Sequence, residues 1–171
     1  MNQIFSNRIT LSVFSVFALF VCGPRAQATD IMGTIDTTLT IYDDSELRGD
    51  VTCKVMQNPC IAFGASDIKL RLNGFKITEE TAGCTSKTSS QDGIDVVGFH
   101  DVAILGPGLV QKFGGFGIFV KGTTRIKIEG ITASDNCFSG IILVGTTDSE
   151  IERNVLVRNS MGSEGAPCGG T

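Results

Sequence analysis

A short repeat bounded by glycines constrains the fold of this chain more than any other feature. Residues 93–98, 117–122 and 140–145 each begin with Gly-Ile, carry an aliphatic residue two positions after the isoleucine, and end in Gly. Successive copies lie 24 and 23 residues apart, and each is followed by a second short alternating run. No window has the apolar spacing of an amphipathic helix. Short strands at a constant period predict a solenoid, in which stacked turns bury faces that no single turn could bury.

An earlier and more divergent copy precedes these repeats. Residues 64–70 align with residues 98–104 at an offset of 34, which is longer than the later period. The extra length predicts an inserted loop over residues 79–92, a segment rich in Ser and Thr. The same offset places Cys60 in the column of Ile94 and predicts that its side chain is buried.

Alternating apolar positions in the repeat predict inward-facing core columns. These columns are Ile94, Ile118 and Ile141, then Val96, Val120 and Leu143, and on the next sheet Ile104, Ile128 and Ile151. Residues 30–47 are expected to cap one end of the stack. No amphipathic segment covers the other end, which predicts either missing downstream sequence or end-to-end self-association with Cys168 available for a bond between chains.

The run at residues 67–77, Asp-Ile-Lys-Leu-Arg-Leu-Asn-Gly-Phe-Lys-Ile, is followed by the Gly-Ile repeats. Together they resemble right-handed parallel β-helix repeat proteins of the pectin-lyase-like superfamily, over roughly residues 37–160. The resemblance implies an all-β, single-stranded, right-handed parallel β-helix (solenoid) of about four to five coils. It also implies three sheets and an external groove where polysaccharides lie. Because this scaffold carries lyases, hydrolases, epimerases and adhesins, the resemblance implies no single activity.

The first 28 residues have the features of an export signal. Arg8 is the only charged residue before an apolar run at residues 9–21, and small residues at 26–28 provide a cleavage site. A membrane anchor is the alternative, but this run is shorter than the roughly 20 apolar residues that cross a bilayer. We therefore expect a β-helix domain at residues 29–171 that is secreted or periplasmic, with no membrane span in the mature chain.

Charge restricts the class of partner. Removal of residues 1–28 takes away two arginines and no acidic residue, so the net charge changes from −4 to −6. A negative chain lacks the basic face that nucleic acids or anionic membranes require. Polyuronates would also be repelled unless a cation such as calcium bridged the charges. The expected partner is a neutral polysaccharide or another protein.

The cysteines are consistent with export. Five remain after the signal is removed, namely Cys53, Cys60, Cys84, Cys137 and Cys168. Disulfides persist in oxidising compartments, and the close spacing of Cys53 and Cys60 suggests a local disulfide. No C-x2-C pair is present and His100 is the only histidine, so neither a zinc site nor any other metal site is predicted.

Two groups of outward-facing residues are candidates for ligand contact. On one face, Asp95, Phe119 and Lys121 lie in an otherwise apolar stripe, where Phe119 could stack on a sugar ring. On another face, Arg125-Ile126-Lys127 matches a tripeptide of polygalacturonase-type hydrolases, which implies that Arg125 and Lys127 bind substrate carboxylates. The companion motifs of those enzymes are absent. We therefore favour the interpretation that both cations belong to a surface charge ladder.

Polar residues at the same spacing support this structural interpretation. Arg125 falls between Asp101 and Asp148 in the repeat, and Asn136 and Asn159 are spaced to form a stacked amide ladder in one turn.

No pair of carboxylates stacks at the separation of about 5 to 9.5 Å that glycoside hydrolysis requires. The catalytic residues are therefore unassigned. The sequence favours an exported module for carbohydrate-associated binding or interaction at the cell envelope, without a competent catalytic site. The alternative is a fragment of a polysaccharide lyase, hydrolase or epimerase whose catalytic coils lie beyond Thr171. No cofactor is predicted, and calcium is implied only by the lyase alternative.

Overall fold

The computed structural model describes residues 28–80 and 91–160, and every regular element in these two ranges is a β-strand. The strands are β1 (Thr29–Ile35), β2 (Leu39–Ile41), β3 (Ser45–Cys53), β4 (Ile61–Phe63), β5 (Lys69–Arg71), β6 (Lys76–Glu79), β7 (Ile94–Val97), β8 (His100–Gln111), β9 (Ile118–Lys121), β10 (Thr124–Ser134), β11 (Ile141–Val144), β12 (Glu150–Glu152) and β13 (Val155–Val157). These residues include no helix that could cross a bilayer.

The strands form two sheets, and the strand pairs within them are parallel. The small sheet has the order β11-β9-β7-β4-β2. The large sheet has the path β1-β3-β5-β8-β10-β12, with β6 and β13 paired beside it. Within the repeat region, neighbouring strands lie one period apart in sequence, as in the pairings of Ile94 with Ile118 and of Ile118 with Ile141. The all-β class and the parallel architecture are thus confirmed, and both are compatible with a β-helix.

The described residues hold two sheets, whereas the resemblance implied three. The strands β8 and β10 are long, and their pairing continues across a register shift between Glu129 and Ile131. At this bend a Cβ atom built on Gly106 would overlap the carbonyl oxygen of Gly130. The two backbones can approach because Gly106 carries no side chain, so the ladder continues and joins two strips into one sheet.

Residues 30–47 lie at one end of the stack, as predicted, and there β1 and β2 are the terminal strands of the two sheets. Strand β1 pairs in parallel with β3, placing Thr29 opposite Ser45, and β2 pairs with β4. Ile31 and Ile35 are buried in the common core. This segment therefore extends both sheets.

The register at the inserted loop differs from the predicted one by a single residue. Ile61, not Cys60, lies opposite Ile94, while Leu70 lies opposite Ile104 as expected. The sequence offset between opposite residues is one smaller in the small sheet than in the large sheet. The connection from β7 to β8 is therefore one residue longer than the connection from β4 to β5. Cys60 is nevertheless buried, and it forms the expected local disulfide with Cys53.

The remaining cysteines are only partly described. Cys137 is buried and disulfide-bonded. Cys84 and Cys168 lie outside the described residues, as does most of the predicted loop at residues 79–92.

The register confirms the predicted core columns, and burial decreases at their last members. The buried members are Ile94, Val96, Ile104, Ile118, Val120 and Ile128. Ile141 and Leu143 are half-buried, and Ile151 is 41% exposed although it pairs with Ile128. Strand β12 is the last strand in the order of the large sheet, so in the described structure no further strand covers its outer edge.

Asparagine side chains connect the turns of successive repeats. The buried Asn136 accepts a hydrogen bond from the Phe113 N–H at 3.1 Å and donates one to Asn159 Oδ1 at 2.9 Å. This confirms the predicted amide ladder. Asn154, which the sequence analysis missed, accepts from the Ile131 N–H and donates to the Ile128 carbonyl, both at 2.8 Å. Each amide satisfies backbone groups that the bends leave unpaired.

Candidate functional site

The outer surface of the small sheet brings together three of the predicted ligand-facing residues. Asp95 pairs with Phe119, which pairs with Ile142 on the next strand. In the neighbouring outward column, Lys121 lies between the exposed side chains of Val97 and Val144. The predicted apolar stripe is therefore present, with a carboxyl group at one edge.

A second carboxyl group lies beside Asp95. Asp92 is in the turn before β7, and its side chain is hydrogen-bonded to that of Asp95. Asp92 Oδ1 also accepts the Phe116 N–H at 2.6 Å, while the buried Oδ1 of Asp95 has no hydrogen-bond partner. The sequence analysis did not predict this hydrogen-bonded pair, which differs from the more widely separated pair that glycoside hydrolysis requires. Asp92 was missed because it precedes the alternating run used to define the columns.

Phenyl rings occupy the corresponding positions one repeat later. Phe116 and Phe119 follow Asp92 and Asp95 by 24 residues, and their rings are stacked with centroids 5.6 Å apart. Phe138, which is 48% exposed, packs on Phe116 with centroids 5.3 Å apart. We call these three rings the phenylalanine cluster. The 24-residue period, applied to turn residues as well as strands, would have found Phe116.

Burial determines the protonation of the carboxyl pair. Burial, together with the charge of the neighbouring Asp92 and the hydrogen bond to it, raises the pKa of Asp95 to about 7. Burial also raises the pKa of Asp92, although the hydrogen bond from Phe116 acts in the opposite direction. Two hydrogen-bonded carboxyl groups retain a proton more readily than either would alone. The pair therefore holds a proton up to nearly neutral pH.

Glu79 adds a third acid near the same turn. It is buried at the end of β6 and accepts the Gly114 N–H at 2.7 Å. Burial raises the pKa of its carboxyl group. The turn that carries Phe116 is thus held by acceptors from two different segments, Glu79 and Asp92.

Arg125 and Lys127 lie on the large sheet. Arg125 binds both oxygens of Asp101, through Nε at 2.6 Å and Nη2 at 2.5 Å. Lys127 Nζ lies 3.1 Å from carboxylate oxygens of both Glu129 and Glu150. Asp148 and Asp67 add to the negative field around Arg125. These contacts match a charge ladder, and each cation is already paired with carboxylates of its own chain.

One group of side chains has ligand types that could suit a metal ion. Ligand atoms of Asp67, His100 and Asp101 lie within 4.8 Å of one another, and all three residues are exposed. Both oxygens of Asp101 are already bound to Arg125, whose positive charge opposes a cation at this position. We assign no metal site to this group.

A shallow groove of about 410 Å³ follows the bend of the large sheet. Its polar lining consists of Arg71, Glu129 and Arg153, and Leu105 and Pro107 supply apolar surface. Arg153 forms ion pairs with Glu129 and Glu152. The groove contains no aromatic side chain, in contrast to the outer surface of the small sheet.

No family model matches this chain, and neither a curated protein nor a solved structure matches it. The evidence for the parallel all-β architecture is therefore the structure, and the evidence for the resemblance to pectin-lyase-like proteins is the sequence repeat.

Proposed function

We propose that this protein is an exported right-handed parallel β-helix that binds an uncharged polysaccharide on the outer surface of its small sheet. The observation that carries the proposal is the phenylalanine cluster beside the Asp92–Asp95 pair. Apolar C–H faces of sugar rings pack on aromatic rings, and sugar hydroxyl groups donate hydrogen bonds to carboxyl oxygens. The exposed ring of Phe138 offers the aromatic contact, and the half-buried Asp95 places a carboxyl group next to Phe119 on the same surface.

Several features support the class of ligand and the compartment. The surface carries acidic groups on a chain that is negative overall, which disfavours anionic polymers. The disulfide between Cys53 and Cys60 is typical of an oxidising compartment and agrees with the proposed export signal. Right-handedness is supported by the strong preference of parallel crossover connections for that hand.

The geometry gives less support to the alternative of a polysaccharide-cleaving enzyme. Asp92 and Asp95 are hydrogen-bonded to each other, which is closer than the roughly 5 to 9.5 Å that glycosidases use. Arg125 and Lys127, the residues of the hydrolase-like tripeptide, are engaged in ion pairs. A binding surface therefore accounts for the described contacts better than a cleavage site does.

A binding screen of the purified exported protein against uncharged and anionic glycans tests the proposal. Binding to an uncharged polysaccharide is expected, and Phe138→Ala or Phe119→Ala should weaken it by about tenfold, since one ring–sugar contact contributes about 1 kcal/mol or more. Arg71→Ala, in the groove of the large sheet, is the matched control and should bind as the unmodified protein does. Failure to bind any uncharged glycan would contradict the proposal, as would loss of binding in Arg71→Ala alone.

A further inference from the structure

We propose that the Asp92–Asp95 pair is a proton-dependent gate on the carbohydrate-binding surface, holding a saccharide while the two carboxyl groups share a proton and releasing it when that proton is lost. This inference rests on the proposed function and adds regulation to the same site. It begins from the position of the pair, one repeat before two of the three rings of the phenylalanine cluster.

The pair adjoins both of the residues that carry those rings. Asp95 is the register partner of Phe119 on the adjacent strand. Asp92 Oδ1 holds the backbone N–H of Phe116 at 2.6 Å. A displacement of either carboxyl group therefore changes the support of one ring, and the rings are in turn stacked on each other.

Loss of the shared proton leaves two negative charges at hydrogen-bonding distance. Like charges this close repel strongly where water is partly excluded, so the carboxylates must separate or draw in water. Because Asp95 Oδ1 is buried without a partner, the favourable direction for Asp95 is outward, toward solvent. This outward movement brings the Asp95 carboxylate onto the surface to which the saccharide is proposed to bind.

The surrounding charges do not neutralise the second negative charge. In the strands of the small sheet, Asp95 has Ala62 on one side and Phe119 on the other, and Lys121 is the one cation. Lys121 pairs in register with Val97, two residues beyond Asp95. Lys112, in the segment that leads to Phe116, interacts electrostatically with Asp135. Glu79 accepts the Gly114 N–H in the same segment and is a further acidic group there. The described neighbours therefore favour retention of the proton.

Binding at two pH values tests the gate. The probes are three insoluble or immobilised uncharged polysaccharides, a β-glucan, a galactomannan and an arabinan, incubated with the full exported protein at pH 5.5 and pH 8.5. With the pKa of Asp95 near 7 and binding confined to the protonated pair, apparent affinity should fall by about 30-fold between these pH values. The Asp95→Asn variant keeps a neutral side chain at both pH values and should bind equally well at each.

The controls separate the gate from the underlying function. Asp148→Asn removes an exposed acid in the bend before β12 and should keep the pH profile of the unmodified protein. Asp92→Asn provides a second test of the pair if Asp95→Asn fails to fold. Equal binding by the unmodified protein at both pH values would overturn the gate and leave the proposed function standing. An equally large fall in apparent affinity between pH 5.5 and pH 8.5 in a folded Asp95→Asn variant would also overturn the gate. Absence of binding to every probe at both pH values would overturn the proposed function itself.

Discussion

Individual residues at one corner of each repeat have left-handed backbone conformations and carry charge. Asp67, Asp101, Arg125 and Asp148 have φ values of 62°, 54°, 55° and 52°. Asp tolerates this conformation better than most residues because its short side chain can bond locally, whereas Arg gains no such benefit. The corner nevertheless places Arg125 directly against Asp101. The same backbone conformation thus recurs at each of these corners, and the positive charge of Arg125 lies among the negative charges of the other three residues.

Replacement of Arg125 by Ala should lower the melting temperature slightly and leave glycan binding unchanged. The loss is small because the ion pair is exposed to water and salt. The Arg125 guanidinium holds the pKa of Asp101 well below its usual range, so its stabilising effect is present at neutral pH and is lost in strong acid. Thermal unfolding with parallel binding assays measures both effects. Lost binding at an unchanged melting temperature would instead support the hydrolase-like role of Arg125.

Asp95 should make stability decrease as the pH rises. Its folded-state pKa is raised to about 7, so the folded protein binds the proton more tightly than the unfolded chain does. That contribution is fully present below about pH 4 and is lost as the pH rises through 7. Urea unfolding at pH 5 and pH 8 should show a smaller decrease for Asp95→Asn than for the unmodified protein. If both proteins lose the same stability, the carboxyl group of Asp95 is not protonated in the folded state.

At the scale of strands, stability depends on how completely each one is covered by its neighbours. Strand β10 has β8 on one side and β12 with β13 on the other. Strand β12 has a described neighbour on one side only. The same apolar residue therefore contributes differently to the free energy of unfolding in consecutive repeats, because this contribution depends on how much of its apolar surface is buried.

Ile128→Ala should destabilise the protein by about 2 to 5 kcal/mol, since it leaves a cavity in a fully buried column. Ile151→Ala is the matched variant in the same column and should cost about 1 kcal/mol or less, because its side chain already contacts solvent. Chemical denaturation of both variants measures the difference. A cost below about 0.5 kcal/mol for Ile128→Ala would show that the register of β10 is wrong.

At the scale of the whole molecule, the two ends of the described stack differ. Ile31 and Ile35 in β1 are buried, although β1 lies at the end of the large sheet. At the opposite end, Val155 and Leu156 are each 54% exposed, and Ile151 is exposed beside them. Apolar side chains next to unpaired strand edges favour association with another surface.

Self-association through the β12–β13 edge is therefore expected at high protein concentration. Light scattering under oxidising and reducing conditions should detect species heavier than a monomer, and reduction should dissociate any that depend on a disulfide. Leu156→Lys should shift the population toward monomer by placing a charge on the exposed edge. Arg71→Ala, away from this edge, should leave the distribution unchanged. A monomer under both conditions without binding of a hydrophobic dye would contradict the expectation.

Much of this architecture was determined by the sequence alone, because a constant period with glycine boundaries permits few arrangements. The columns of Ile94 and Ile118, the stacked amides of Asn136 and Asn159, and the outward pair of Asp95 and Phe119 all follow from that period. Stacked parallel strands repeat every contact at the same spacing, so correct alignment of two copies places a whole column.

The tertiary structure decided the features that lie in bends and turns. Close approach of Gly106 and Gly130 joins two strips into one sheet, which alternation within strands does not reveal. The Asp92–Asp95 pair likewise depends on how the chain turns before β7, and on the Phe116 N–H that orients Asp92. A repeat specifies which residues stack, whereas turn conformation and burial determine which side chains meet and which of them retain a proton.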